Sequence, residues 1–140
     1  MPEKENMIRK ANIKDVNIIH TLLLEGVSSG KILIRSINEL INVVEYFFIC
    51  EENNEVIACC SLEIYSQKLA EIRSLVVSSK YQNRGIGSAL VQRCLDEAKS
   101  KGVYQVLSVT DKSDLFERFG FKTEVNEKQA MFLNLGGKSI

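Results

Sequence analysis

Apolar and polar residues recur along this chain with two different periods, and the switches between them divide it into elements. Met7-Ile8-Arg9-Lys10 reads as a short first strand. Val16, Ile19, Leu22 and Leu23 then fall at helical spacing. They predict a helix from about Lys14 to Glu25, capped by Asn12 and followed by a loop at Gly26 and Ser28-Ser29-Gly30. Ser36-Ile37-Asn38-Glu39 has the form of a capping box, in which Ser36 accepts from the Glu39 amide and the Glu39 side chain reaches back. A second short helix is expected from there to about Val44.

The middle of the chain is strand-like. Tyr46-Phe47-Phe48-Ile49-Cys50 is a compact apolar run, Glu51 to Glu55 a polar turn, and Val56 to Ile64 a returning strand, together a hairpin. After Gln67-Lys68 a third long strand runs from Leu69 to Val77. Strict alternation would put Glu71, Arg73 and Leu75 on one face and Ile72, Ser74 and Val76 on the other. Ile86, Leu90, Val91, Cys94, Leu95 and Ala98 form a broad helical stripe that stops at Gly102. Tyr104 to Val109 reads as a strand, Ser113 to Phe119 as a short helix ended by Gly120, and Phe121 to Val125 and Met131 to Leu135 as closing strands. The order β-α-α-β-β-β-α-β-α-β-β is that of a mixed α/β (α+β) domain with helices packed on a central sheet.

Composition narrows the function classes. A chain of 140 residues fits a single domain, here residues 1–140, large enough to bury a core without disulfides or a structural metal. Eighteen basic and eighteen acidic residues balance, so no net field draws nucleic acid or an anionic membrane, and any anion site must be built locally. No apolar run approaches the roughly 20 residues that span a bilayer. The polar start Met1 to Asn6 lacks the apolar stretch of a signal peptide, so a cytoplasmic location is expected. Cys50, Cys59, Cys60 and Cys94 match no zinc spacing and read as small buried hydrophobes, with no metal expected. In a strand, Cys59 and Cys60 would point to opposite faces, leaving one free to meet a cleft. His20, the only histidine, falls in the first helix and reads as a surface or packing residue.

The break between the third long strand and the main helix carries the chemistry. Gln82-Asn83-Arg84-Gly85-Ile86-Gly87-Ser88 leads into a helix whose first amides have no intrahelical acceptor and sit at the positive end of the dipole. A phosphate or pyrophosphate suits such a place, and Gly85 and Gly87 let it come close to the backbone. Ser88 adds a hydroxyl and Arg84 a full charge. A tight turn with no ligand is the plainer reading of the two glycines. The Gly-Lys-Ser/Thr of a P-loop and the third glycine of the dinucleotide fingerprint are both absent.

The loop matches the Gln/Arg-x-x-Gly-x-Gly/Ala motif of the GNAT family of N-acetyltransferases, in the position between strand and helix that the family uses. Phe116-Glu117-Arg118-Phe119-Gly120-Phe121 resembles that family's later aromatic-x-x-x-Gly-Phe segment. The shared organisation covers residues 7 to 135. More narrowly, Ile32 to Ser36 and Ala70 to Val77 are similar to the acetyltransferase domain of bacterial N-acetylglutamate synthases. The chain departs from these where Glu127-Lys128-Gln129-Ala130-Met131 stands in place of a His-Lys-(Val/Ile)-Trp stretch.

The resemblance implies a mostly antiparallel sheet with a splayed central strand and helices on both faces. It implies acetyl-CoA as co-substrate. Backbone groups of Leu75 and Val77 would pair with the pantetheine arm, and N–H groups near Val76 would meet the oxyanion. The loop Gln82 to Gly87, with Ser88, would hold the pyrophosphate, and Ser108 would lie near the thioester. Phe116 takes the position where the family often carries a tyrosine that protonates the departing thiolate. Glu71 matches the position of the base in some members, and a carboxylate can take the proton that an ammonium must lose before it attacks. A solvated or Arg-paired strand carboxylate is the alternative for Glu71.

Arg35 and Arg73 are the candidates for binding a carboxylate on the acceptor, since a guanidinium grips it bidentately. Ordinary ion pairs with Glu39 or Glu71 are the alternative. The expected activity is acetyl transfer to the amine of a small molecule, an amino acid such as glutamate included. A peptide amine as acceptor and a non-catalytic acyl-CoA-binding module stand as the other readings. The expected partner is a small-molecule amine acceptor, with neither nucleic acid nor membrane, and a homodimer is compatible with the chain.

Overall fold

The computed structural model describes residues 7–28 and 33–137. The polar start Met1 to Asn6, Ser29, Gly30 and Ile32 lie outside the described residues. Five strands form one sheet in sequential order: β1 (Met7–Lys10), β2 (Phe47–Glu52), β3 (Glu55–Ser66), β4 (Leu69–Val77) and β5 (Gln105–Leu107). The first three pairings are antiparallel and β4–β5 is parallel. The parallel step needs a crossover, and α3 (Ile86–Ser100) supplies it.

Both faces of the sheet are covered. On one, Phe48, Cys50, Ala58, Cys60, Leu62 and Ile72 pack against Ile86, Leu90, Val91, Cys94 and Ala98 of α3. These helix positions are the stripe that sequence periodicity marks. On the other, Phe47, Ile49 and Cys59 pack against Ile19, Leu22 and Leu23 of α1 (Val16–Ser28) and Leu40 of α2 (Ile37–Val43). Cys59 and Cys60 do point to opposite faces, but both are fully buried, so neither meets a cleft. Burying a side chain the size of Leu90 contributes about 1.5–3 kcal/mol, which is why α3 stays on the sheet.

Several local details depart from the sequence reading. Helix α1 runs through Gly26 to Ser28 instead of ending at Glu25. At Ser36 the Oγ accepts from the Glu39 amide at 3.1 Å, but the Glu39 carboxylate turns to Arg35 Nε, so only half of the capping box forms. A reciprocal box forms at Asn12 instead: its Oδ1 accepts from the Lys14 amide, and Asp15 accepts from the Asn12 amide. The closing strands reduce to a two-stranded ribbon of β6 (Glu124–Val125) and β7 (Lys128–Gln129). Met131 to Leu135 is not a strand, because none of the described residues pairs with it in a sheet. Among the described residues no helix is long and apolar enough to cross a membrane.

Candidate active site

The site begins where two strands part. Parallel pairing of β4 with β5 ends at Glu71 opposite Leu107, and Ser108 Oγ then donates to the Ile72 carbonyl at 2.9 Å. Beyond that point β4 keeps β3 on one side and, among the described residues, has no strand partner on the other. A cleft of about 930 Å³ opens there, lined by residues 72–77 of β4, 85–88 at the start of α3, and 108–116. This is within the usual size of a small-molecule site.

A bulge in β4 decides what faces the cleft. Cys59 pairs with Val76 and Ser61 with Arg73, so Ser74 and Leu75 together oppose Cys60, with Ser74 at φ +57°. The extra residue reverses the alternation of side chains. Glu71 and Arg73 therefore share a face with Val76, while Leu75 and Val77 pack on the α3 side. The even alternation expected from the sequence is corrected here, and the position of the bulge also brings Ser74 Oγ within 3.0 Å of Arg35.

The loop from β4 to α3 is tied at one end and open at the other. Gln82 Nε2 donates to the Val77 carbonyl at 3.0 Å, which fastens the loop to the end of the strand. Gly85 takes φ +79°, a conformation that a side chain resists. Ala89 is the first residue of the helix to return a bond, to the Gly85 carbonyl at 3.0 Å. The amides of Ile86, Gly87 and Ser88 thus lack an intrahelical acceptor, and no side chain caps this end. A Cβ at Gly87 would meet Leu115 and Val77 side chains at 3.8 and 3.9 Å, ordinary contact distances. The protein's own packing therefore tolerates a side chain at Gly87, and its absence keeps the cleft wall open.

The aromatic-x-x-x-Gly-Phe segment has a plain physical basis. Gly120, at φ +93°, ends α4 (Ser113–Glu117): its amide returns to the Glu117 carbonyl and the Phe121 amide to that of Phe116. This is a Schellman arrangement, and its hydrophobic contact is the edge-on packing of Phe116 on Phe121, 5.1 Å between centroids. Phe116 is buried and lines the cleft.

On the α1–α2 side of β4 lies a polar cluster. Glu63 accepts from Arg35 Nη1 and Nη2 at 2.9 and 3.2 Å, from Ser61 at 2.9 Å and from Arg73 Nη1 at 3.2 Å. Burial alone would push the Glu63 carboxyl up, but the bonds from Arg35 and Ser61 and the charge of Arg73 outweigh it and hold the group below its ordinary value. Burial likewise works against the Arg35 cation, and Glu63 and Glu39 more than restore it. Tyr65 Oη donates to Glu71 Oε1. Burial and then the Glu71 carboxylate push the Tyr65 hydroxyl up to about 12, so it remains a donor.

Leu75, Val76, Val77, Gln82, Asn83, Gly85, Ile86, Gly87, Ser88, Ser108, Phe116 and Arg73 all line the cleft. Three sequence candidates do not. The Arg84 side chain lies over the Tyr81 ring and reaches toward Glu52 at 3.5 Å, leaving its amide as its contribution to the loop. Arg35 is buried among Glu63, Glu39 and Ser74, away from the cleft lining. Glu71 lies just past the cleft's edge, held by Tyr65. Of the two arginines, only Arg73 reaches both the cluster and the cleft, and its partner is Glu63, not Glu71. Sequence reasoning missed Glu63, Tyr65 and Ser61, although a polar residue at every second position of an apolar strand is a readable sign. Among the described residues, no three His, Cys, Asp or Glu side chains gather as a metal site.

Comparison with known proteins agrees with this geometry. Residues 27–121 match the model of the Acetyltransferase (GNAT) family. An N-acetyltransferase of uncharacterised function from Chlorobaculum tepidum is 34% identical over 87% of this chain and 79% of its own length. The amino-acid acetyltransferase of Mycobacterium tuberculosis is 31% identical over 85% of this chain and 69% of its own. That of Photorhabdus laumondii is 32% identical, but the chain spans only 27% of its length. Among solved structures, N-acetylglutamate synthase from Neisseria gonorrhoeae, complexed with coenzyme A and N-acetyl-glutamate, superposes with a TM-score of 0.81 at 27% identity, over 89% of this chain and 30% of that one. The strand splay, the uncapped helix start and these matches agree: the chain belongs to the GNAT family and is an acetyl-CoA-dependent N-acetyltransferase.

Proposed function

We propose that this N-acetyltransferase acts on the amine of a small molecule bearing a carboxylate, an amino acid such as glutamate, with Glu71 as base and Arg73 as the carboxylate-binding residue. The observation that carries the reading is Arg73, one-third exposed, anchored to Glu63 by a single 3.2 Å contact and lining the cleft. A guanidinium has five N–H donors, so most of its fork is available to a second carboxylate. Names of several relatives, amino-acid acetyltransferases at about 30% identity, support the same acceptor class.

The residues fit acetyl-CoA, because the start of α3 offers amides without acceptors beside an open β4 edge. The amides from Arg84 to Ser88 would hold its pyrophosphate, with the helix dipole favouring the negative charge. The free edge of β4 at Leu75 and Val77 would pair with the pantetheine arm in the manner of an added strand. When bound, acetyl-CoA supplies a thioester carbonyl open to attack by an amine. Ser74 and Leu75 have no one-to-one partner on β3, so the bulge near Val76 is the source of N–H donors for the carbonyl oxygen.

Glu71 takes the proton from the acceptor ammonium, through a water since it lies just past the cleft, and Tyr65 fixes the orientation of its carboxylate. Phe116 offers no proton, so solvent returns one to the departing thiolate. Release of free CoA, followed against a panel of amino acids, polyamines and short peptides, tests the reading. Turnover with amino acids and not with amines lacking a carboxylate is expected. Turnover confined to peptides, or none with any acceptor while acetyl-CoA still raises the melting temperature, would overturn it.

A further inference from the structure

Ser74 holds a backbone conformation that its own side chain resists. It lies at φ +57°, in the left-handed region, within the otherwise extended strand β4. Such a conformation persists only where the surroundings over-determine it. Three side chains do so here, and none of them lines the cleft. Arg35 Nη1 donates to Ser74 Oγ at 3.0 Å, and the Cys59 thiol donates to the Ser74 carbonyl at 3.5 Å. Ser61 Oγ lies 3.1 Å from the Arg73 carbonyl, one residue earlier.

The aim of Arg35 is itself fixed from elsewhere. Its Nε donates to Glu39 at 2.6 Å, and Nη1 and Nη2 donate to Glu63 at 2.9 and 3.2 Å. Nη1 carries two hydrogens, so one serves Glu63 and the other is left for Ser74. A guanidinium is planar and rigid, so the two carboxylates dictate where that second hydrogen points. Swinging Arg35 away would strip the buried Glu63 of its counter-charge, which keeps the arginine in place.

Without this bond Ser74 would relax toward negative φ, and nothing would hold the extra residue of the bulge at this place. Leu75 and Val76 follow it in the chain, so a rotation at Ser74 turns the peptide groups on the cleft side of β4. We propose that Arg35 is a positioning residue for acetyl transfer: it holds Ser74 in the left-handed conformation and so aims the N–H donors near Val76 at the thioester oxygen. This rests on the reading that the bulge supplies those donors. Such donors act through their direction, so a misaimed one loses much of its effect while still present.

Kinetics with whichever amine the wild type acetylates tests the proposal, so the identity of the acceptor does not enter. Ser74→Ala removes the hydroxyl and leaves the bonds of Arg35 to Glu39 and Glu63 in place. Its kcat should fall about tenfold, less than the hundredfold or more that loss of a whole oxyanion donor costs. KM for acetyl-CoA should stay within about twofold, as for an interaction made only in the transition state. Ser74→Gly takes positive φ freely, so it should melt no lower than Ser74→Ala and yet be as slow. Arg35→Lys keeps a charge beside Glu63 but loses the rigid fork, and should be slow in the same way. Combined with Ser74→Ala it should be no slower than the slower single change, since both remove one contact. Wild-type kcat in Ser74→Ala or Ser74→Gly would overturn the proposal. So would losses that multiply in the double variant, the result if Ser74 Oγ bonded the substrate directly. Should Arg35→Lys not fold, the two Ser74 variants decide alone, whereas the acceptor reading fails only on which amines are turned over.

Discussion

Arg35 and Glu63 form a two-pronged ion pair, 2.9 and 3.2 Å, between a residue just before α2 and the middle of β3. Both are buried, with Arg35 4% and Glu63 8% exposed. The pair pins α2 to the sheet at the level of the bulge, since Arg35 also reaches Ser74 and Glu39.

Removing one partner of this pair should cost far more than the pair itself is worth. Glu63→Ala leaves the Arg35 cation buried with Glu39 alone, and a loss of about 3–5 kcal/mol is expected. Glu63→Gln keeps an acceptor oxygen and should cost less. Urea unfolding of both variants checks the order, and a Glu63→Ala protein within about 1 kcal/mol of wild type would contradict it.

The same carboxylate gives stability a definite dependence on acid. The folded Glu63 pKa lies below its ordinary 4.5, so the group contributes fully above 4.5. That contribution is lost as pH falls through the lowered folded value. Melting temperature should therefore fall below about pH 4.5, and the fall should be shallower in Glu63→Gln.

Gly85 and Gly87 should separate folding from cofactor binding. Gly85→Ala places a side chain at φ +79° and should cost about 1–2 kcal/mol. Gly87→Ala meets ordinary contacts and should melt within a degree or two of wild type. Gly87→Leu, whose longer side chain fills the approach to the α3 amides, should instead lose most of the stabilisation by acetyl-CoA, which Gly87→Ala should keep. Thermal shift with and without ligand distinguishes the two.

Glu71→Gln should lower turnover by on the order of a hundredfold, the low end of what a positioned base contributes. Tyr65→Phe, which removes only the donor to Glu71, should cost several-fold. Both should bind acetyl-CoA as the wild type does, and normal turnover by Glu71→Gln would exclude it as the base.

The thiols should be silent in the folded protein. Burial raises the Cys59 pKa to about 12, while the contact with Cys94, Sγ to Sγ 3.8 Å, and then burial push Cys60 well above its usual value. All four cysteines are buried, so a maleimide should label none under native conditions and four in denaturant.

The order of the helices and strands of the sheet is legible in the sequence because each is set by nearby residues. The stripe Ile86, Leu90, Cys94 and Ala98 needs only a helix to face one way, and Gly85 and Gly120 need only φ above zero. The motifs at Gln82 to Gly87 and at Phe116 to Phe121 are likewise local, which is why most of the glycine loop and Phe116 are found on the cleft wall.

The acceptor side depended on tertiary structure. Register between β3 and β4 inserts Ser74 as an extra residue and sends Leu75 and Val76 to faces opposite those that alternation assigns. Arg35 meets Glu63 from 28 residues away and Arg73 meets it from 10, distances over which no local pattern selects a partner. Arg84 turned to Glu52, 32 residues away, for the same reason. Sequence periodicity determines which faces are apolar. Only the packing of strands against one another decides which charges on the polar face find each other, and which remains open to a ligand.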